Sequence, residues 1–385
     1  MLTLTIKNMN AIRNARIVTA DEDFRGSLVV RGESILEVNR GTAGVVGDDW
    51  GGDFLIPGLV ELHTDNLEKH LMPRPKVHWP ILPAILAHDA QIAAAGITTV
   101  LDAISVGDID SDSLRNQTLS ACTDGLTRAI ASGVLRAEHY LHIRLELAEE
   151  HLLQMFSPFL QDERLRLVSV MDHTPGQRQW TDISHYRTYV GGKRGWSKEK
   201  VDSMLKSQLI RQEAHAANNR KAVIAACRQL AHPVPLAAHD DTTVAHVNES
   251  VGDGIAISEF PTTLAAAGAA RAHGMGIIMG APNMVRGGSH SGNISAVELA
   301  RADLLDVLSS DYVPASLLHA AFLLEGEGFG LAKAIATVTR NPAHMIGLRD
   351  RGEIAAGLRA DYLRVRVVDG VPIVVAALRA GQRIC

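Results

Sequence analysis

The stretch PGLVELHTDNLEKHLMPRP, residues 57–75, ends a short apolar run with His63 and Asp65 two positions apart. Side chains at i and i+2 of a strand point the same way. An imidazole and a carboxylate converging just past a strand end could hold a divalent metal ion or work as an acid/base pair. Four further apolar runs end in Glu146, His173, His239 and Asp311. This mixture of imidazole and carboxylate, with no cysteine in it, suits Zn²⁺, Mn²⁺, Fe²⁺ or Ni²⁺ better than Ca²⁺ or a thiolate cluster. Taken singly, each residue has an ordinary explanation. Glu146 could pair with Arg144, Asp311 could cap a helix, and His173 could be a hydrogen-bonded structural histidine. Repeated at one end of a series of strands, these coincidences are the weaker account. Two metal ions bridged by Glu146 would share a water and lower its pKa. His63 and Asp65 would hold the first ion, His173 and His239 the second, and Asp311 would take the water's proton as general base.

The elements that must present these residues are strands alternating with helices. Strands are expected at 59–63, 97–105, 139–147, 165–173, 234–240, 255–260, 276–282 and 307–313, and helices at 112–132, 148–160, 197–230, 243–251, 262–273 and 293–304. Repeated strand–helix alternation argues for a parallel sheet, and eight units argue for closure into a (β/α)₈ barrel. An open doubly wound sheet is the alternative, but no Gly-x-Gly-x-x-Gly turn follows an early strand. In such a barrel the active site lies at the C-terminal ends of the strands, where all six candidates fall. Both chain ends differ from the middle. TLTIKN, ARIVTA, GSLVVRG and ESILEVN near the start, and the alternating segment after Asp361 with its Asp369-Gly370 turn, are short and β-rich. We expect a small β-sandwich domain built from residues 1–55 and 346–385 around a barrel domain of residues 56–345.

Composition narrows the function classes. The chain has 385 residues, 46% hydrophobic and 21% charged, with a formal net charge of −5. That is a soluble globular balance without a basic footprint for nucleic acid. Cys122, Cys227 and Cys385 are too far apart to suggest a metal pair or a disulfide framework. The start of the chain lacks a signal peptide's apolar core, and charges interrupt the alanine-rich runs, so a cytoplasmic protein without membrane contact is expected.

At this point the residues resemble the amidohydrolase superfamily: a barrel with a composite β domain, a His-x-His motif after strand one, a bridging carboxylate, two histidines and a late aspartate. Asp65 departs from that pattern, standing where the superfamily usually has a second histidine. HTDNLEKHLMPRP, HIRLEL, VSVMDHTPGQRQ, AAHDDTT and APNMVRGGSHSGNISA are similar to one branch of it, the α-D-ribose 1-methylphosphonate 5-triphosphate diphosphatases of the carbon–phosphorus lyase pathway. The resemblance covers nearly the whole chain. It implies a metal-dependent hydrolase, with a binuclear zinc centre, that converts the ribosyl triphosphate to the 5-phosphate and diphosphate by water attack at the α-phosphorus. The superfamily carries its two lone histidines on strands five and six, whereas His173 and His239 fall here on strands four and five. Either a strand is missed near 174–195 or the branch varies.

A polyphosphate substrate needs cations and exposed backbone N–H groups. Arg286, Ser289 and Asn293 lie in a glycine-rich loop expected to enter a helix near Asn293, where the helix N-terminus would favour an anion. Arg286 could bind phosphate through two N–H groups. Lys69 and Arg74 follow the His63 motif and could face the same cavity. Residues 191–194, Gly-Gly-Lys-Arg, are a candidate lid. Asp240 and Asp241 could orient His239, though Asp241 could equally be a solvated helix start. His70, His78, His88, His139, His142 and His246 are read as structural or surface residues. The partner is then a small phosphorylated sugar, and a homo-oligomer is possible. The competing reading is a metal-dependent hydrolase of a C–N bond, an amidase, cyclic imidase or deaminase, which would use the same water-activating centre. A catalytically dead scaffold is a third, disfavoured because the whole ligand set is present.

Overall fold

In a computed structural model of the chain, which describes residues 9–41, 44–74, 77–108, 114–176, 178, 197–289 and 292–385, eight parallel strands curl into a barrel. The strands are β1 (Leu59–Thr64), β2 (Ile97–Val106), β3 (Glu138–Glu146), β4 (Leu165–Met171), β5 (Leu236–His239), β6 (Ile257–Glu259), β7 (Gly276–Gly280) and β8 (Val307–Ser309). Each pairs with the next in chain order. All eight lie where the sequence places them, within a few residues. Leu236 pairs directly with Val168, so no strand intervenes between β4 and β5. His173 and His239 therefore do follow strands four and five.

The strands read as apolar runs because both faces are buried. Every residue of β1 is buried. Val60, Leu62, Leu101, Leu167, Ile257 and Ile278 fill the barrel interior. Leu59, Ile97, Val100, Ile143 and Leu165 belong to the larger core shared with the surrounding helices. The seam between β1 and β8 is closed by side chains as much as by backbone. Thr64 bridges to Asp311, Asp311 N–H donates to His63 O at 3.0 Å, and Asp65 N–H donates to Asp311 O at 2.9 Å. Beneath them the fully buried Glu61 accepts the N–H of His63 and the N–H of Ser310, each at 2.6 Å, while the Ser309 hydroxyl lies against the same carboxylate.

Among the described residues the α-helices are α1 (Asn66–Leu71), α2 (Ile81–Ala94), α3 (Leu114–Ala131), α4 (Leu152–Phe156), α5 (Lys198–Arg228), α6 (Val244–Gly252), α7 (Leu264–Ala272), α8 (Ala281–Arg286), α9 (Ala296–Arg301), α10 (Ser316–Leu324), α11 (Leu331–Ala336) and α12 (Arg340–Met345). The expected helix at 148–160 is α4 followed by a 3₁₀ turn, and the one expected at 293–304 shortens to α9. Helices α1, α2, α8, α10, α11 and α12 lie outside the expected helical segments. In α2 the buried face includes His88 and Asp89, and polar residues on the inner face disguise the apolar period.

The strands outside the barrel join into one mostly antiparallel sheet built from both ends of the chain. Strand Phe54–Pro57 pairs with Tyr362–Val368, with Leu363 opposite Ile56. Ile12, Ile17, Leu28, Trp50, Leu55 and Tyr362 form the core of this sheet. Gly58 passes the chain from sheet to barrel; a Cβ there would sit 2.3 Å from the Thr98 hydroxyl oxygen, so only glycine fits. Arg351 and Arg359 from the C-terminal segment both bind Glu138 at the start of β3. Burial opposes the charge on Glu138, but the two guanidiniums outweigh it and hold the carboxyl at about 2.

Between β2, β3 and α2 lies a buried polar network. Asp102 holds His88 Nε2 and His139 Nδ1, each at 2.8 Å, and His139 Nε2 lies 3.4 Å from Asp89. Asn66, beside Asp65, bonds His88 Nδ1 at 3.0 Å and so ties the network to the start of α1. The histidines read as structural thus include a charged cluster. Burial opposes protonation of His139, but Asp102 and then Asp89 raise it to about 9.

A folded-state pKa raised above the ordinary 6.5 adds stability that is complete below about pH 6.5 and is lost as pH climbs through about 9. Denaturant unfolding followed across that window should show the loss in the wild type. His139→Gln should be less stable at pH 6 and show a flatter profile. Equal slopes for the two proteins would count against a charged His139.

Candidate metal centre

An irregularity in β1 delivers His63 to the barrel mouth. Val60 and Leu62 face the interior, so strict alternation would turn His63 outward. The β1–β2 register breaks between Glu61 and Thr64. The His63 ring lies instead 5.1 Å from His142, 5.7 Å from His239 and 4.9 Å from Phe260. Such breaks re-aim side chains next to active sites. Asp65 stands beyond the strand, at the cap of α1, with Oδ1 3.7 Å from His63 Nε2. The two residues converge as the sequence suggests, through a bulge and a turn rather than through the pleat.

A second local device recurs around the rim. Asp240, Phe260 and Asp311 follow β5, β6 and β8, and all three have left-handed backbones, with φ of 59°, 54° and 53°. Each still donates its N–H to the neighbouring strand, to Glu259 O, Ile278 O and His63 O respectively. The chain therefore stays in the ladder through the functional residue and then turns sharply off the rim. For a bulky side chain such as Phe260 this conformation costs of order 1–3 kcal/mol and marks a functional site.

Two clusters of metal-competent atoms result. Among the described residues, His63, Asp65 and Asp311 bring ligand atoms within 4.8 Å of one another at the rim, and so do His173, His239 and Asp240. Two further groups meet the same distance: His63, His239 and Glu259, deeper between these clusters, and the His88–Asp102–His139 network outside the barrel. His239 Nδ1 lies 2.9 Å from Asp240 Oδ2, and His173 Nε2 lies 3.8 Å from the same oxygen. Asp240 thus stands among the candidate ligands instead of merely orienting His239. Both ring nitrogens of His239 and Oδ2 of Asp240 are buried without a hydrogen bond, their short contact lying outside bonding geometry. Unpaired buried polar atoms cost about 1–3 kcal/mol each. A divalent cation is the partner that nitrogen and oxygen donors of this kind fit.

Glu146, expected as a bridging carboxylate, stands behind His173. Its Oε2 lies 2.8 Å from His173 Nδ1 and its Oε1 accepts the His173 N–H at 3.2 Å. Both oxygens serve His173 and aim its Nε2 at Asp240. Arg144, which the sequence offered as Glu146's partner, binds Asp65 instead at 2.6 Å. Glu259, at the end of β6, was missed. It is fully buried, with Oε1 2.7 Å from His63 Nδ1 and Oε2 accepting from the Ser169 hydroxyl at 2.8 Å. The available signal was its position: a carboxylate at the end of the sixth strand in the series.

The charges in the mouth are strongly coupled. Burial opposes protonation of His63, but the Glu259 carboxylate raises the ring to about 10. Burial drives His142 down to about 3, leaving it neutral. Burial, then the neighbouring Asp65 carboxylate, pushes Asp311 up to about 6, within the range suited to a general base. Asp241, following Asp240, is fully buried and paired with Arg178, so it is not a solvated helix start.

The candidate phosphate residues divide. Lys69 donates to Tyr312 O and its ammonium lies 5.0 Å from the Tyr312 ring, which puts it beside Asp311. Arg74 is exposed, and its backbone pairs with Val77. Arg286 is exposed at the C-terminal end of α8, where a cation favours the helix dipole. Ser289 and Asn293 are half-buried in the following loop. The helix expected near Asn293 starts at Ala296, and its first amides are taken: Ala296 N–H by Asn283 Oδ1 and Glu298 N–H by Ser295. Two of the first three amides of that helix are therefore satisfied within the chain. Residues 191–194 lie outside the described residues.

No family model matches the chain. It is 44% identical over 377 residues to the α-D-ribose 1-methylphosphonate 5-triphosphate diphosphatase of Escherichia coli K12, covering 97% of this chain and 99% of that protein. Among solved structures, N-acetyl-D-glucosamine-6-phosphate deacetylase from Mycobacterium smegmatis aligns with a TM-score of 0.65 at 14% identity, over 98% of this chain and 99% of the other. N-isopropylammelide isopropylaminohydrolase from Burkholderia multivorans aligns at 0.62 and 16% identity, over 98% of each chain. Dihydropyrimidinase from Brevibacillus agri aligns at 0.61 and 12% identity, over 97% of this chain and 94% of the other. At such identities these structures speak to the fold alone.

Stripping divalent ions with a chelator should lower the midpoint of thermal unfolding. Zinc at about a hundred times its dissociation constant should then add about 2.7 kcal/mol of stability. His239→Ala should lose most of that gain, whereas Arg286→Ala, altered outside both clusters, should keep it. Equal gains in all three proteins would show that zinc binds elsewhere.

Proposed function

The chain belongs to the α-D-ribose 1-methylphosphonate 5-triphosphate diphosphatase family of the amidohydrolase superfamily, and we propose that it hydrolyses that triphosphate to the 5-phosphate and diphosphate at the mouth of the barrel. The 44% identity over nearly the full length carries this reading. The C–N hydrolases among the structural neighbours share the fold at 12–16% identity, which gives no support to an amide substrate.

The two clusters would each hold a divalent ion, zinc being the best fit to nitrogen and oxygen donors without sulfur. Bound there, the metal supplies Lewis acidity, lowering the pKa of a water and polarising a phosphoryl oxygen. The chain's own residues do the rest. Asp311, at the end of β8 beside Asp65, accepts the proton that the attacking water gives up. Water oxygen bonds to the α-phosphorus, the bond from that phosphorus to the bridging oxygen breaks, and diphosphate leaves with the electron pair. Glu146 keeps His173 aimed at its cluster, and Arg144 keeps Asp65 in place. Lys69, held beside Asp311 by Tyr312, supplies positive charge near the reacting phosphate. Arg286, Ser289 and Asn293 are proposed to meet the outer part of the polyphosphate, with Arg74 at the edge. The small anionic sugar is the partner; no helix among the described residues is long and apolar enough to cross a membrane.

The direct test is ³¹P NMR of metal-loaded protein with the triphosphate. Diphosphate and the 5-phosphate should appear, and Asp311→Asn, assayed at saturating metal with its metal content measured alongside, should slow their release by about 10²- to 10⁴-fold. Orthophosphate as the first product would move the attack to the γ-phosphorus and defeat the proposal. Arg286→Ala should raise KM for the triphosphate about tenfold or more with a smaller change in kcat, as loss of uniform binding requires.

A further inference from the structure

We propose that Glu259 is the positioning residue of the first metal cluster, fixing the His63 ring so that Nε2 faces Asp65 and Asp311. The inference rests on the reading that this cluster holds a divalent ion. Its support is geometric. His63 has two ring nitrogens, and Nδ1 is 2.7 Å from Glu259 Oε1 while Nε2 is 3.7 Å from Asp65 Oδ1. When a metal displaces the proton on Nε2, the hydrogen that stays on Nδ1, bound to the Glu259 carboxylate, fixes the tautomer with its lone pair on Nε2. Glu259 is itself held. It is fully buried on β6, and the Ser169 hydroxyl on β4 donates to its second oxygen at 2.8 Å. Glu259 Oε2 is 3.9 Å from His239 Nε2, beyond hydrogen-bond reach.

The second cluster repeats the arrangement. Glu146 takes His173 Nδ1 at 2.8 Å and leaves His173 Nε2 facing Asp240. The barrel thus carries two carboxylate–histidine pairs, from β3 to the loop after β4 and from β6 to β1, one behind each ligand cluster. Partners of this kind typically change metal affinity by about 10- to 100-fold when removed. Glu259 also reaches across the mouth to anchor the strand whose bulge points His63 inward, so it supports both the tautomer and the aim of the ring.

The test is zinc binding by chelator competition on the full chain, beside thermal unfolding of the metal-free proteins. Glu259→Gln keeps the size and removes the charge behind Nδ1. It should raise the dissociation constant of one zinc by about 10- to 100-fold, leave stoichiometry at saturating zinc equal to wild type, and return most of kcat at that saturation. Glu259→Asp should fall between. Ser169→Ala, which leaves the carboxylate but frees its far oxygen, should weaken the same zinc by a few-fold and serves if Glu259→Gln fails to fold. Unchanged affinity in these variants would overturn the inference. So would loss of one zinc equivalent at saturation, which would make Glu259 a ligand. A wild type that binds no zinc, or any other divalent ion, would overturn the reading of the cluster together with the inference.

Discussion

The barrel mouth depends on how its seam is closed, and the seam is closed by Glu61. This carboxylate is fully buried, and desolvation pushes its pKa upward, yet two backbone N–H groups and the Ser309 hydroxyl surround it. Those N–H groups belong to His63 and Ser310, one being a candidate ligand and the other standing beside Asp311. One side chain therefore sets the separation of the first and eighth strand ends. Backbone bonds between His63, Asp65 and Asp311 continue the seam upward into the first ligand cluster. In most sheets strand pairing comes first and side chains decorate it. Here a buried anion completes the pairing, and the ligands inherit their spacing from it.

Much of this was legible in the sequence because barrel strands are buried on both faces and end in the residues that do chemistry. Apolar runs terminating in His63, Glu146, His173, His239 and Asp311 are unusual enough to mark both the strands and the rim. Direction and partnership were not legible. Alternation along β1 would have sent His63 outward, and nothing in LVELHT signals the break that turns it back. Glu146 reads as a lone carboxylate at a strand end, and its contact with His173 depends on the course of the loop after β4. Glu259 sits in ISEF, where a charged residue within a short strand carries no periodic signal. Short helices such as α8, six residues opening with Ala-Pro, are set by the barrel around them and not by local propensity.

The mouth is also an exercise in charge placement. Carboxylates outnumber cations there, and burial alone would neutralise them. Histidines and Arg144 are interleaved so that each buried anion faces a partner: Glu259 with His63, Glu146 with His173, Asp65 with Arg144. Asp311 lacks such a partner and is raised, burial being reinforced by Asp65. A group held apart from its neighbours in this way is suited to moving a proton, while the paired groups are suited to staying put. The His139–Asp102–His88 network is built by the same rule on the outside of the barrel, but there every member is matched and none is left to react.

Phe260 carries a consequence for how this chain could change over time. Its ring lies 4.9 Å from His63 and 5.3 Å from His239, packed against a histidine of each ligand cluster, while its backbone is one an aromatic residue seldom adopts. A glycine would relax that turn, but it would strip the ring from both histidines and from the barrel interior it packs against. Losing a packed Phe ring costs about 3–5 kcal/mol, more than the strain it would relieve. Fold stability and an ordered mouth therefore favour the same awkward residue at this one codon.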